Sequence, residues 1–174
     1  MLQTQPATHS LSKRVASTLT QHHAGFTVII RTAIESDHDA VLDLLQYLNP
    51  DDPPVPDKVS RKTYSQILEA DNFTIAVAEI DQVIVGTCYL NVIPNLTRNC
   101  SPYGLIENVV SHPDYRRQGI GQALIKHALA LAYEKDCYKV MLLTGRDENV
   151  HQFYESCDMK SGKKTAFIAR FDDF

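Results

Sequence analysis

The chain has 174 residues, of which 44% are hydrophobic, and a formal net charge of −4 at pH 7, values typical of one globular domain that buries its own core. The negative charge argues against general binding to nucleic acid, which depends on a basic surface. No apolar run approaches the roughly 20 residues that span a bilayer, and the N-terminus lacks the apolar core of a secretory signal. We therefore expect a cytoplasmic protein that acts on a small molecule or a peptide, without a membrane or nucleic acid partner.

The first 25 residues differ in composition from the rest, because they contain no Asp or Glu and are rich in Ser, Thr, Gln and His. Leu11, Val15 and Leu19 recur every four residues, a spacing that places them on one face of a helix. We expect residues 1–25 to form an N-terminal extension, docked as a helix on the domain or on a second subunit, and residues 26–174 to form the domain. A homodimer is thus one expected oligomeric state.

The domain opens with an alternation of strand and helix signals. The β-branched run 27–31 predicts a strand, and an acidic start followed by apolar residues at helical spacing predicts a helix over 36–48. The proline-rich residues 49–58 cannot continue that helix and form a loop, after which residues 58–70 resume helical spacing. Because loops on a rigid scaffold commonly carry specificity, residues 49–58 are a candidate region for selecting the substrate.

The second half of the chain continues the same alternation. Apolar and β-branched runs predict strands over 73–80, 83–92, 103–111, 138–144 and 165–171, and helical spacing predicts helices over 119–135 and 148–156. The first two strands are joined by Asp81 and Gln82, a connection short enough for an antiparallel hairpin. Residues 93–102 are irregular and form a second candidate specificity loop. The elements together predict one domain of mixed α/β class.

The most informative stretch lies between the strand ending near residue 111 and the helix opening near residue 119. Gly119 and Gly121 at this strand-to-helix junction let the backbone approach a ligand closely, and the unpaired N–H groups of the first helical turn point at an anion there. Arg116 and Arg117 add positive charge. We call residues 116–121 the glycine loop. The phosphate-binding patterns GxxxxGK[ST] and GxGxxG are absent, which disfavours nucleoside triphosphates and nicotinamide cofactors.

The glycine loop resembles the acyl-CoA motif of the GNAT superfamily of N-acetyltransferases, which is Arg or Gln, two residues, Gly, one residue, then Gly or Ala. Arg116, Gly119 and Gly121 match this motif. The resemblance extends over residues 26–171, and the string at 106–110 is similar to members that include glucosamine-phosphate acetyltransferases. It implies a central, mostly antiparallel, splayed sheet flanked by helices, with acetyl-CoA as the acyl donor. The acceptor stays open among polyamines, amino sugars, amino acids, antibiotics and protein lysines.

The same resemblance implies which residues hold the acyl donor. Val109 and Val110 would pair through their backbone with the pantetheine arm, and Asn149 and Phe153 would lie beside the pantetheine end. The positive charge of Arg116 would lie beside the pyrophosphate. Backbone contacts to the pyrophosphate are implied for Arg117, Gln118, Gly119, Ile120, Gly121 and Gln122. One departure is Asp158, which stands where relatives often have Gly after a cysteine; it predicts a slightly costlier helix end.

Two side chains are candidates for the chemistry. An acceptor amine with a pKa of about 10.4 is mostly protonated at neutral pH, so transfer requires a general base. Glu107 is that candidate, and Tyr154, which matches a tyrosine of the family, could protonate the departing thiolate. Backbone N–H groups of Val109 or Val110 could polarise the thioester oxygen. An exposed strand carboxylate and a packing tyrosine are the structural alternatives for the two side chains.

Three functions therefore remain open from the sequence. The leading one is an N-acetyltransferase in which a primary amine of a small molecule or peptide attacks the thioester of acetyl-CoA directly. The alternatives are a non-catalytic acyl-CoA-binding or sensing module, and a structural or interaction domain without affinity for CoA. No metal site is expected, because His22 and His23 lack partner ligands at metal spacing. The four scattered cysteines are expected to be reduced thiols, and Cys157 structural.

Overall fold

A computed structural model describes residues 18–23, 25–145 and 148–171. Six strands form one sheet in chain order: β1 (Leu19–His23), β2 (Phe26–Thr32), β3 (Phe73–Ile80), β4 (Val83–Ile93), β5 (Tyr103–Ser111) and β6 (Val140–Leu142). Four α-helices accompany it: α1 (His38–Leu48), α2 (Asp57–Glu69), α3 (Ile120–Glu134) and α4 (Glu148–Glu155). Strands β1 to β5 are antiparallel, and β6 is parallel to β5. The predicted mixed α/β class with a mostly antiparallel sheet is confirmed.

The sheet opens at one edge. Strand β6 pairs with β5 only over three residues, from Gly104 with Val140 to Ile106 with Leu142. Beyond Ile106, β5 has no ladder partner on that side within the described residues. The two strands therefore diverge, as the expected splayed sheet requires, and leave backbone groups of β5 available to another partner.

Strand β3 is apolar on both of its faces, because helices cover both faces of the sheet. Ala76, Ala78 and Ile80 belong to the core cluster that includes residues of α3, whereas Ile75 and Val77 belong to the cluster with residues of α1 and α2. Successive side chains of a strand point to opposite faces, so a central strand that is covered on both sides reads as a continuous apolar run. This packing fixes α3, and with it the glycine loop, against the sheet.

An ion-pair network ties the start of α1 to the sheet. Arg31 on β2 donates two hydrogen bonds to the carboxylate of Asp37, at 2.7 and 3.0 Å, and one to Glu79 on β3, at 2.9 Å. The N–H of Ile34 also donates to Asp37, at 2.8 Å. Burial alone would raise the pKa of Asp37, but the hydrogen bonds from Arg31 and Ile34 outweigh it and hold that pKa below its ordinary value.

We expect Arg31→Met to lower the free energy of unfolding by about 2 kcal/mol at pH 7, because it leaves the nearly buried carboxylate of Asp37 without its cationic partner. Since the folded-state pKa of Asp37 is lowered, its contribution is present above the unfolded-state pKa of about 3.9 and is lost as pH falls through the folded-state value. The difference between wild type and Arg31→Met should therefore narrow toward pH 2 in urea titrations. Arg61→Met, which breaks exposed pairs with Asp39 and Asp57, is the control and should cost less. A constant difference at all pH values would contradict this account.

Three local predictions were wrong. The predicted strand 165–171 has no regular structure, and Phe167, Ile168 and Phe171 are exposed; alternating apolar residues form a strand only where a neighbouring strand pairs with them. The strand predicted over 138–144 is limited to 140–142 and is half-buried, because it lies at the sheet edge.

Leu19 lies in β1 opposite Ile30, not on a helix, since hairpin pairing outweighs its helical spacing. Leu11 and Val15 lie outside the described residues, and a homodimer stays a prediction.

Candidate functional site

A cavity of about 770 Å³ occupies the opening between β5 and β6, and we call it the first cavity. Ten residues predicted from the sequence line it: Glu107, Val109, Val110, Arg116, Arg117, Gly119, Gly121, Gln122, Phe153 and Tyr154. They come from β5, the glycine loop, the start of α3, and α4. Residues distant in the chain thus meet around one space.

Two other predicted residues, Gln118 and Ile120, were expected to contact the pyrophosphate through their backbone, and their side chains do not line the cavity. The side chain of Gln118 is not on the cavity wall, and its amide donates to the carbonyl of Asp114 at 3.2 Å. Ile120 is 1% exposed and belongs to the core, so only its backbone N–H is available for an anion. Residue Asn149 belongs to α4, but its side chain lies outside the described part of the structure.

The glycine loop is built from unusual backbone conformations. Arg117 has φ of +59° and Gly119 has φ of +79°, both in the left-handed region. Glycine adopts that region without cost, whereas arginine does so rarely, and such residues cluster at functional sites. Gly119 is the N-cap of α3, and its carbonyl accepts from Ala123 at 2.9 Å. The N–H groups before Ala123 have no acceptor within the helix, which makes this wall of the cavity suited to an anion.

A bulge shapes β5 where it lines the cavity. Thr87 pairs with Val110 and Tyr89 with Glu107, so two residues of β5, Asn108 and Val109, lie opposite one residue of β4. Asn108 has φ of +53°, and asparagine tolerates this conformation better than most residues. A bulge bends its strand, and this one falls where β5 leaves β6. The resulting edge lines the cavity from residue 106 to residue 111.

Glu107 lies on this edge with its side chain at the cavity. It is largely exposed, but partial burial raises the pKa of its carboxyl above the ordinary value. A carboxylate with a raised pKa is a stronger base toward a bound proton donor. Its position and its pKa both fit the predicted role as general base.

Two aromatic residues of α4 close the cavity on the other side. The rings of Phe153 and Tyr154 pack edge to face with centroids 5.0 Å apart. Phe153 also packs closely against the first turn of α3. A Cβ placed on Gly121 would lie only 3.0 Å from the Cζ atom of Phe153. The amide of Gln122 donates to the carbonyl of Ser156 at 3.0 Å and joins α3 to the end of α4. These contacts hold α4 against the start of α3, and Tyr154 lines the same cavity as Glu107.

The helix end after α4 follows the sequence prediction. Cys157 is fully buried, and burial raises the pKa of its thiol, as a structural role requires. Asp158 adopts the left-handed conformation, with φ of +64°. An aspartate at this position therefore carries the expected small cost relative to glycine.

Several cavity residues were not singled out from the sequence. They are Tyr47, Leu48, Thr144, Gly145 and Arg170. Residue Asn49, within the predicted specificity loop, also lines the cavity, whereas residues 93–102 do not. No local pattern marks these positions, because they reach the cavity only through the tertiary fold.

One group in the described residues has ligand atoms close enough for a metal, since atoms of His38, Asp39 and Asp57 lie within 4.8 Å of one another. The guanidinium of Arg61 occupies this group, at 2.7 Å from Asp39 and 2.9 Å from Asp57. A side chain therefore already supplies positive charge beside these two exposed carboxylates.

The splayed sheet and the glycine loop at its opening define a mixed α/β protein with a cofactor-sized cavity between two strands. The chain belongs to the acetyltransferase (GNAT) family, whose model matches residues 41–159. The resemblance read from the glycine loop is therefore confirmed. Within the described residues, no helix has the length and apolar character needed to cross a membrane.

Sequence relatives match part of the chain. A glucosamine 6-phosphate N-acetyltransferase of Trypanosoma brucei brucei is 37% identical over 81 residues, which is 47% of this chain and 54% of that protein. The enzyme of the same name from Schizosaccharomyces pombe is 36% identical over 76 residues, 44% of this chain and 67% of that protein. The chain thus spans about half to two thirds of the length of these curated relatives.

Solved structures match most of the chain. A proposed acetyltransferase from Agrobacterium tumefaciens is 40% identical, with a TM-score of 0.77, and the match covers 81% of this chain and 99% of that one. The glucosamine-6-phosphate N-acetyltransferase of Arabidopsis thaliana is 27% identical, with a TM-score of 0.75, covering 83% and 99%. The architecture described above is therefore shared over nearly the whole of both solved proteins.

Proposed function

We propose that this protein is an N-acetyltransferase that transfers the acetyl group of acetyl-CoA to a primary amine of a small molecule or peptide. The observation that carries the proposal is the first cavity, where an anion-binding loop meets a carboxylate with raised pKa and a phenol across a splayed strand. The family and the names of the relatives support the same activity.

The cavity offers a distinct partner for each part of acetyl-CoA. The N–H groups at the start of α3, with Arg116 and Arg117, would hold the pyrophosphate. Among the residues that the structure describes, none pairs with the edge of β5 at Val109 and Val110 on the β6 side. This edge would pair with the amide groups of the pantetheine arm as an added strand. Phe153 supplies an apolar wall beside it.

The chemistry divides between two side chains. Glu107 accepts a proton from the acceptor ammonium, so that the amine nitrogen attacks the thioester carbonyl and forms the new N–C bond. A backbone N–H of Val109 or Val110 donates to the carbonyl oxygen as negative charge develops there. As the C–S bond breaks, Tyr154 donates its phenolic proton to the sulfur. The nitrogen of the tetrahedral intermediate loses its second proton as the amide forms, and that proton replaces the one that Tyr154 gave to the sulfur. The proton taken by Glu107 returns to solvent, so the net products are the amide, free CoA thiol and one proton.

Among primary amines, an amino sugar phosphate is the acceptor class that the comparisons favour, because two relatives carry the name glucosamine 6-phosphate N-acetyltransferase. Arg170 lines the cavity and would supply a cation for such an acceptor. Mass spectrometry of reactions with acetyl-CoA and a panel of glucosamine 6-phosphate, glucosamine, polyamines, aminoglycosides and lysine peptides would identify the acceptor. Acetyl-CoA binding without any acetylated product would favour a sensing module instead.

Tyr154→Phe should lower kcat about tenfold and leave the Kd for acetyl-CoA unchanged. The effect is smaller than the 10²–10⁴-fold typical of acid catalysis, because a thiol with a pKa of about 8.5 leaves readily as a thiolate. Steady-state kinetics with Tyr133→Phe as control would check it, since Tyr133 is 82% exposed on α3 and does not line the cavity. An unchanged kcat would return Tyr154 to a packing role.

A further inference from the structure

His112 follows β5 directly and precedes the glycine loop, at a point where several elements meet. Its backbone N–H donates to the carbonyl of Val85 at 2.8 Å, which anchors the residue to β4. Its carbonyl accepts from the N–H of Tyr115 at 3.0 Å, closing the short turn Pro113–Tyr115 that leads into the loop. The position of the ring is therefore fixed relative to the sheet.

Each of the two ring nitrogens of His112 makes one hydrogen bond. Nδ1 accepts from the backbone N–H of Asp114 at 3.3 Å, and Nε2 lies 3.3 Å from the hydroxyl of Tyr47. The Asp114 carboxylate, at 3.8 Å from Nδ1, is beyond hydrogen-bond distance. Because a backbone N–H can only donate, Nδ1 carries no proton in this arrangement, and the neutral ring donates from Nε2 to Tyr47.

The same ring packs between two tyrosines that line the first cavity. Its centroid lies 5.1 Å from that of Tyr47 in the last turn of α1 and 5.8 Å from that of Tyr115, both edge to face. Tyr47 and His112 also line a second cavity of about 670 Å³ between α1 and the β3–β4 hairpin. Tyr47 thus lines both cavities, and its contact with His112 joins α1 to the turn before the glycine loop.

We propose that His112 is a positioning residue that sets the last turn of α1 and the glycine loop at a fixed distance, through Tyr47 on one side and Asp114 on the other. The inference rests on the proposed function, which assigns the glycine loop to acetyl-CoA. It takes the end of α1, which leads into the candidate specificity loop at 49–58, as the acceptor side. Tyr47, Leu48 and Asn49 form that end of the cavity wall. Loss of the Asp114 bond should weaken cofactor binding, and loss of the Tyr47 bond should weaken acceptor binding.

Three substitutions separate the two bonds. The side-chain amide in His112→Asn reaches about as far as Nδ1. It therefore keeps the hydrogen bond from the Asp114 N–H, for which asparagine is well suited, but loses the contact with Tyr47. The amide of His112→Gln reaches about as far as Nε2, so it keeps the contact with Tyr47 but not the hydrogen bond from the Asp114 N–H. His112→Phe keeps the ring packing and loses both bonds. The Kd for acetyl-CoA from calorimetry, and KM for the acceptor apart from kcat, are the two readouts.

We expect the Kd for acetyl-CoA to rise about fivefold in His112→Phe and His112→Gln, the value of one net hydrogen bond, and to stay within about twofold in His112→Asn. The acceptor KM should rise by a similar factor in His112→Phe and His112→Asn and recover in His112→Gln. His38→Phe is the matched control. His38 also makes two ring hydrogen bonds and an edge contact with a tyrosine, Tyr64 at 5.3 Å, away from the first cavity.

The control should lose thermal stability without a change in Kd. Wild-type values of Kd and KM in all three His112 variants, with only Tm altered, would overturn the positioning role and leave the proposed function intact. Absence of acetyl-CoA binding by the wild-type protein would overturn the proposed function and this inference with it. The two failures are therefore distinct.

Discussion

Gly121→Glu is expected to abolish acetyl-CoA binding, with a loss of at least about 100-fold in affinity. A Cβ at this position would lie 3.0 Å from Cζ and 3.4 Å from Cε2 of Phe153, so the ring of Phe153 must shift by a few tenths of an ångström, and the longer glutamate side chain adds further crowding. The added carboxylate would also lie at the positive end of the helix dipole, where it would compete for the N–H groups that we propose hold the pyrophosphate. Crowding and charge act in the same direction, and about 100-fold corresponds to 2.7 kcal/mol.

Isothermal titration with acetyl-CoA measures this loss directly. Gly121→Ala is the matched control, because it adds the crowding without the charge and should give an intermediate affinity. Circular dichroism of both variants would show that α3 is retained. A folded Gly121→Glu that binds acetyl-CoA within tenfold of wild type would show that the pyrophosphate does not lie at the start of α3.

Glu107→Gln is expected to lower kcat by about 10²–10³ while leaving the Kd for acetyl-CoA unchanged. The amide has the shape of the carboxyl but cannot accept the proton of the acceptor ammonium, and removal of a general base commonly costs 10²–10⁴. Burial raises the pKa of Glu107. Because the base works only when ionised, wild-type kcat/KM should fall as pH drops through this raised pKa.

The pH dependence of kcat/KM separates this role from a structural one. In wild type, kcat/KM should fall as pH drops through the pKa of Glu107. In Glu107→Gln, the residual kcat/KM should not show that fall. Glu69→Gln, an exposed change on α2 away from the first cavity, is the control and should match wild type. Full kcat in Glu107→Gln would exclude a base at residue 107.

The glycine loop could be predicted from the sequence because its determinants are local. Glycines at a strand-to-helix junction and two adjacent arginines lie within six residues, and the structure puts them on one cavity wall. The order of the elements from β2 to α4 was also predictable, since the apolar periodicity of β3, β4 and α3 follows from burial against the two faces of the sheet.

The features that could not be predicted depend on contacts between distant residues. The bulge at Asn108 arises from its register with β4, and only the tolerance of asparagine for positive φ signalled it. The contact of Tyr47 with His112 joins residues 65 positions apart. The strand predicted at 165–171 was wrong for the opposite reason. Its local sequence pattern is typical of a strand, but no described strand pairs with it.

The most direct test of the central claim is the release of free CoA thiol by the wild-type protein with acetyl-CoA and an amine. We predict release that requires both substrates, that saturates with each, and that Glu107→Gln reduces by about 10²–10³. Glucosamine 6-phosphate is the first acceptor to try, followed by the wider panel of amines. Saturable binding of acetyl-CoA with no amine-dependent thiol release across that panel would contradict the assignment as an N-acetyltransferase.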